Sequence, residues 1–245
     1  MLAFVAGASE LPFPIGEELV YSISWNGIAV AKVTATTQMD SYEGREVIAL
    51  RMRAETYAFF NKVFKVDDVH ESLIDPETFL PIRFTKNLKE GRYRSHEITT
   101  FDFETMKAHY AHQTNGKKKT YDIDSDTRDV LSFMYFMRSE ALDKNQSPEY
   151  RVMADEKIYD LTVNTYDTKK ISLPNYKDKV KCLKMTPESY FDGLFVQKGK
   201  ATLWTSRDPR RLLTYAKISV PFGNARIKLQ TVKGPGDDFW IRKRK

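Results

Sequence analysis

One cysteine, Cys182, stands in 245 residues. No disulfide framework can form within the chain, and a cysteine-built zinc or iron–sulfur site is excluded with it. No run approaches the roughly 18 consecutive apolar residues that a transmembrane helix requires. Low-complexity tracts, internal repeats and a clear linker are also missing. Neither sign of charge dominates, since 39 Lys+Arg against 33 Asp+Glu leaves only +6. Nucleic-acid binders concentrate one sign on one face, so this even mixture argues against that class. Nor does the chain contain G-x-S-x-G, G-x-x-x-x-G-K-[ST] or G-x-G-x-x-G, so it points to no cofactor and names no reaction.

What is present is a globular composition, with 41 % apolar, 13 % aromatic and 29 % charged residues. That balance excludes a disordered chain. The length fits one large domain, which buries roughly 70–75 % of its unfolded surface.

The dominant period is two. Leu19, Tyr21, Ile23 and Trp25 share one face of a strand, and Asn26-Gly27 then marks a tight hairpin. The returning strand puts Ala29, Ala31, Val33 and Ala35 on one face, leaving room for something bulky opposite. Further strands are read at Val47–Tyr57, Val66–Ile74, Leu80–Leu88, Tyr93–Phe103, Met106–Tyr110 and Thr120–Ile123. Asp75-Pro76-Glu77 and Asn115-Gly116 supply turns among them. Beyond the middle come Ile158–Tyr166, Val180–Met185, Ala201–Thr205, Leu212–Val220 and Ala225–Val232. So many turn-spaced strands predict an antiparallel sheet, not βαβ units.

One segment breaks the rhythm. Asp126–Leu142 has neither Gly nor Pro, and Val130, Phe133, Met134, Met137 and Ala141 recur at helical spacing. Asp126 or Thr127 suits its start. Apolar Leu131 and Phe136 on the flanks predict a helix buried on more than one side. Asp129, Ser132, Tyr135 and Arg138 form a polar ridge beside the apolar face. Buried polar groups need partners, so the ridge is either a network tying helix to sheet or a row that orients a ligand. Tyr57–Phe64 predicts a short helical turn.

Other constellations carry less. His109 and His112 are three apart on a strand, point to opposite faces, and make no metal site. Asp67, Asp68, His70 and Glu71 read as a solvated strand face. Lys181 and Lys184 flank Cys182 and would lower its pKa. Asp208-Pro209 initiates a turn before Arg210-Arg211, and Trp204 ends the preceding strand.

The ordered series Phe13–Ile28 (FPIGEELVYSISWNGI), Val66–Pro81 (VDDVHESLIDPETFLP), Asp129–Arg138 (DVLSFMYFMR), Leu203–Arg211 (LWTSRDPRR) and Pro221–Ala225 (PFGNA) resembles a bacterial family catalogued as domain of unknown function 3108. The likeness spans about Phe13 to Val232. Two departures stand out: a full signal peptide is missing, and Pro209 is wedged into the late turn. The resemblance implies a secreted or periplasmic, largely β protein of one domain, and it implies no activity.

These readings combine into one set of expectations. Residues 1–8, with the small-residue tripeptide Ala6-Gly7-Ala8, are the remnant of a signal peptide, and the mature periplasmic or otherwise extracytoplasmic chain begins near Ser9. Residues 9–238 form a single β-rich domain, a strongly curved antiparallel sheet or half-open barrel with the 126–142 helix on its concave face. Residues 239–245 are an aromatic–basic tail whose Arg242, Lys243, Arg244 and Lys245 suit peripheral contact with an anionic membrane. The expected function is a monomeric binding or envelope-assembly module for a lipid, a glycan or an envelope protein. Tyr135, Arg138, Trp204 and Trp25 are its candidate ligand contacts, with Arg138 suited to a phosphate or carboxylate. Asp129, Ser132 and Asp208 form a structural polar network. No catalytic residue is assigned; the alternative is an envelope hydrolase or transferase using Asp68 or Asp129.

Overall fold

The computed structural model describes residues 11–189, 200–220 and 223–235. The expectations for residues 1–8 and 239–245 fall outside them. The first half is a meander: β1 (Glu18–Trp25), β2 (Ile28–Tyr42), β3 (Arg45–Thr56), β4 (Asp67–Ile74), β5 (Pro81–Glu90), β6 (Tyr93–Asp102), β7 (Lys107–His112) and β8 (Lys118–Asp122). A two-residue strand, β9 (Arg128–Asp129), runs straight into the helix α1 (Val130–Phe136). The second half comprises β10 (Glu149–Ala154), β11 (Lys157–Ile171), β12 (Val180–Ser189), β13 (Lys200–Ser206), β14 (Leu213–Val220) and β15 (Gly223–Lys233).

The fifteen strands of the described residues lie in one curved, open sheet, ordered β8-β7-β6-β5-β4-β3-β2-β1-β15-β14-β13-β12-β11-β10-β9. Pairing is antiparallel throughout except between β9 and β10. The two ends of the chain meet mid-sheet, where β1 pairs with β15 from Glu18↔Lys233 to Trp25↔Ala225. The mainly β, antiparallel reading therefore holds. Long twisted sheets curl, and this one curls until its edges approach each other: β9 comes near β5, and α1 lies over β4 and β10.

Two cores fill the curl. Ile48, Leu50, Ile74, Phe84, Phe101 and Phe13 meet Leu131 and Tyr135 of α1. Leu19, Val33, Ala35 and Leu229 instead meet Leu173 and Tyr176 of the β11–β12 connection. The small-residue face of β2 thus receives that connection, not the helix. Tyr176 Oη fixes it by accepting a hydrogen bond from the Val232 backbone at 2.7 Å. Ala29 is exposed, because the β1–β2 register shifts after Ile23 and takes it off the inward face.

The helix is much shorter than the 126–142 expected. At its start, Arg128 and Asp129 pair with Val152 and Met153 as strand, and Asp129 caps the first turn by accepting from the backbone N–H groups of Leu131 and Ser132. At its end, Arg138 and Ser139 bond back only three residues, to Tyr135 and Phe136, a tightening that ends the α-helix. The face is also different. The buried side carries the polar ridge of Asp129, Ser132, Tyr135 and Arg138, whereas Met134 is exposed. Phe133 and Met137 pack against a third cluster containing Val152, Leu161, Leu183 and Met185. Burial on more than one side holds, and Asp129, Ser132 and Arg138 of the ridge turn inward because their partners wait there. Tyr57–Phe64 contains one 3₁₀ turn at Phe60–Lys62.

Candidate functional site

The polar ridge ends in a buried ion triad. Arg138 forks onto Glu17, with Nη1–Oε2 at 2.6 Å and Nη2–Oε1 at 3.0 Å, and its Nε donates to the Arg210 carbonyl at 2.9 Å. Arg210 Nη2 also donates to Glu17 Oε1. The Glu17 side chain is 0 % exposed. Elements far apart in the chain deliver the three residues. Glu17 lies just ahead of β1, where its N–H donates to Thr37 Oγ1. Arg138 leaves the end of α1. Arg210 sits in the β13–β14 turn, where Asp208 Oδ1 accepts from its backbone N–H. Arg211, in the same turn, donates to the Arg138 carbonyl at 2.8 Å. Bidentate geometry of this kind is what a guanidinium–carboxylate pair needs to offset its desolvation.

Asp129 is a second buried hub. Oδ1 accepts from Leu131 N at 2.8 Å and Ser132 N at 3.0 Å, while Oδ2 accepts from Ser72 Oγ at 2.6 Å and Ser132 Oγ at 2.7 Å. Burial pushes its carboxyl above the usual range, against the pull of these donors. With its oxygens so engaged, Asp129 is a cap that clips α1 to β4.

Above Asp129 lies a polar cleft with room for about 20 Å³, lined by Phe84, Lys86, Glu97, Tyr110, Asp155 and Glu156 among others. Lys86 reaches Asp155 at 2.9 Å and Glu97 at 3.5 Å. Burial opposes its charge, but the two carboxylates outweigh that and raise its pKa. Burial likewise opposes the Glu156 charge, and Lys117 at 2.6 Å outweighs it, so this carboxyl falls below its ordinary range. Arg151 reaches Asp124 at 3.2 Å. Asp155 and Glu156 form the β10–β11 turn, so these pairs hold that turn over β5, β6 and the start of β8. A volume of this size accepts a single water. The arrangement is a seam that closes the curl.

His70 lies at the same end, edge-on to Phe84 at 6.1 Å. Burial, then Lys86, push its imidazole below the ordinary histidine range, against Asp68. A base with a depressed folded pKa stays neutral while the unfolded chain takes up the proton. Stability on this account is complete above about pH 7 and is lost as the pH falls through the folded pKa. The loss of stability between about pH 7 and pH 5 is therefore expected to be shallower in His70→Leu than in the parent, measured by urea unfolding at each pH. Equal slopes would remove His70 from the account.

A family model for proteins of unknown function, DUF3108, matches residues 20–230. The chain belongs to this family. Among solved structures, the DUF3108 chain is similar to a crystal structure of a β-barrel-like protein of domain of unknown function DUF1849 from Brucella abortus. The TM-score is 0.59 at 10 % identity, covering 89 % of this chain and 97 % of that one. At that identity the likeness shows the fold alone. No curated protein matches.

The sequence-derived candidates do not converge in this DUF3108 member. Tyr135 and Arg138 come together, in the core rather than on a ligand-facing wall, and the acid that Arg138 binds is the chain's own Glu17. Trp204 lies against the second core, its ring 5.0 Å from that of Tyr215. Trp25 is part-exposed at the β1–β2 turn, against Gly223. Asp129 and Ser132 form the expected network. Asp208 stands beside the network and acts on it through the turn that aims Arg210. Asp68 accepts the backbone N–H of Lys89 at 2.8 Å. His109 meets Thr120 and His112 meets Ser95, each on its own face.

Cys182 corrects an expectation. It is fully buried beside Thr214 Oγ1 at 3.1 Å, and burial pushes its thiol up to about 11 against the hydrogen bond with Thr214, the opposite of the direction expected from the flanking lysines. Glu17, Arg210 and Lys86 were missed by residue-level reading. Glu17 and Arg210 lie in the quoted family segments, but no local spacing marks them as partners.

Proposed function

We propose that the protein is an extracytoplasmic, non-enzymatic module of the cell envelope that works by binding a partner at its surface. One observation carries this reading: the inside of the curl is occupied by the chain itself. Leu131, Tyr135, Leu173 and Tyr176 fill the two cores, and the Glu17–Arg138–Arg210 triad locks the helix end there. The polar cleft has room for about 20 Å³, and a cleft between Met137, Glu140, Leu183 and Arg207 for about 100 Å³. Drug-sized ligands need roughly 300–1,000 Å³. A lipid or glycan held inside the curl is the weaker reading for that reason. The hydrolase or transferase reading is weaker still. The Asp129 oxygens are engaged by four donors, and Asp68 accepts the Lys89 backbone N–H, with no nucleophile–base pair beside it among the described residues. An envelope location is supported by the Ala6-Gly7-Ala8 tripeptide.

Native mass spectrometry of the protein purified from its own envelope tests the reading. The expected result is the mass of the polypeptide without a ligand held in the curl, and no thermal shift with soluble glycans or single dispersed lipid molecules. A co-purifying lipid or glycan that is lost on Trp204→Ala without unfolding would overturn it.

A further inference from the structure

The meander places the turns after β1, β3, β5 and β7 at one end of the sheet. On that rim the β3–β4 connection, residues 57–66, exposes an unusual amount of apolar surface: Phe59 is 78 % exposed, Val63 80 % and Phe64 53 %. The connection is anchored on both sides. Tyr57 N–H donates to the Val30 carbonyl at 3.0 Å, and Gly91 N–H donates to the Lys65 carbonyl at 2.7 Å. The Phe64 ring lies over Gly91, in the space a Cβ there would meet. Tyr93, which opens β6 beside the β5–β6 turn, is 53 % exposed, and Ile28, beside Trp25, is 61 % exposed. Single exposed apolar residues are ordinary, but a contiguous set marks an interaction surface.

Charge identifies the surface it fits. Tyr57–Lys65 and Lys89–Arg94 together hold Lys62, Lys65, Lys89, Arg92 and Arg94 against Glu90 alone, 5 − 1 = +4 of a whole-chain +6. The acids just behind the rim are Asp67, paired with Arg53, Glu55, paired with Lys32 and Arg53, and Asp68, which accepts the Lys89 backbone N–H and faces Glu90; counting Asp67 and Asp68 with the rim leaves 5 − 3 = +2. Aromatic and aliphatic tips ringed by an excess of cations match the layering of an anionic bilayer, with the rings at headgroup level and the cations over the phosphates. We propose that this rim seats the protein on an anionic membrane surface. The proposal rests on the surface-binding reading above and names the partner. It places the contact on folded residues 57–66 and 89–94, not on the basic tail.

Co-sedimentation of the full chain with phosphatidylglycerol/phosphatidylcholine vesicles, and with phosphatidylcholine vesicles alone, tests it. Binding is expected only to the anionic vesicles and should fall steeply with salt. Lys62→Glu/Lys65→Glu should weaken it at least about tenfold, since each near-surface cation contributes about a factor of five. Phe59→Ser/Val63→Ser should weaken it by a similar factor at unchanged charge. All four positions are exposed, so unchanged melting curves will show that the variants fold. Three results would overturn the proposal: no vesicle binding; binding that survives both double substitutions and disappears when Arg242–Lys245 are neutralised; or a cross-link from position 59 to an envelope protein without vesicle binding. A lipid or glycan adduct lost on Trp204→Ala but kept on Phe59→Ser/Val63→Ser would overturn the surface-binding reading whatever the vesicles show, so the two failures are distinguishable.

Discussion

Replacing Glu17 by Gln or Ala is expected to destabilise the protein by about 3–5 kcal/mol, the typical cost of removing one partner from a buried ion pair. Glu17 is the carboxylate that both Arg138 and Arg210 address. Its loss leaves two guanidiniums in a site where neither can reach water, with the end of α1 and the β13–β14 turn resting on each other. Urea unfolding gives the magnitude, and a double-mutant cycle with Arg138→Met isolates the pair. A coupling below about 1 kcal/mol, the range of surface pairs, would contradict the buried triad. Replacing all three residues by apolar ones of similar volume is expected to cost far less than Glu17→Ala alone, because the penalty lies in the uncompensated charge.

Asp129→Ala is expected to cost about 3 kcal/mol. Loss of an N-cap accounts for about 1 kcal/mol, and leaving the buried Ser72 and Ser132 hydroxyls without their acceptor accounts for the rest. Asp129→Asn keeps an acceptor for Leu131 N and Ser132 N, and the two serine hydroxyls can rotate to accept from the new amide, so it should cost about 1 kcal/mol or less. The contrast between the two substitutions is the test. Equal losses would mean that the charge matters rather than the hydrogen bonds, and two negligible losses would mean that α1 does not depend on its cap.

Most of the fold was legible because alternation and turn chemistry are local. Asn26-Gly27 adopts φ angles of +47° and +92°, as a tight hairpin between twisted strands demands. Asp75 Oδ1 accepts from Glu77 N and Thr78 N, the Asx geometry that its place before Pro76 suggests. The β10–β11 hairpin was harder to read. Asp155 and Glu156 turn it with φ of +43° and +59° without a glycine, held there by Lys86 and Lys117 from the opposite edge of the sheet. A turn stabilised by tertiary ion pairs leaves no local signature.

The sequence by itself determined the antiparallel β class, the hairpin turns at Asn26-Gly27 and Asn115-Gly116, the presence of one helix near Val130 and the polar ridge along it. Each of these follows from residues within a few positions of one another, where backbone geometry translates spacing directly into facing. Tertiary structure alone decided the length of that helix and the side it buries. Glu17 lies 121 residues from Arg138 and 193 from Arg210, and only the curl of the sheet brings them together. Once they meet, Asp129, Ser132 and Arg138 cost less to bury with their partners than the same groups would without them. The helix accordingly turns its arginine inward and leaves Met134 to the solvent.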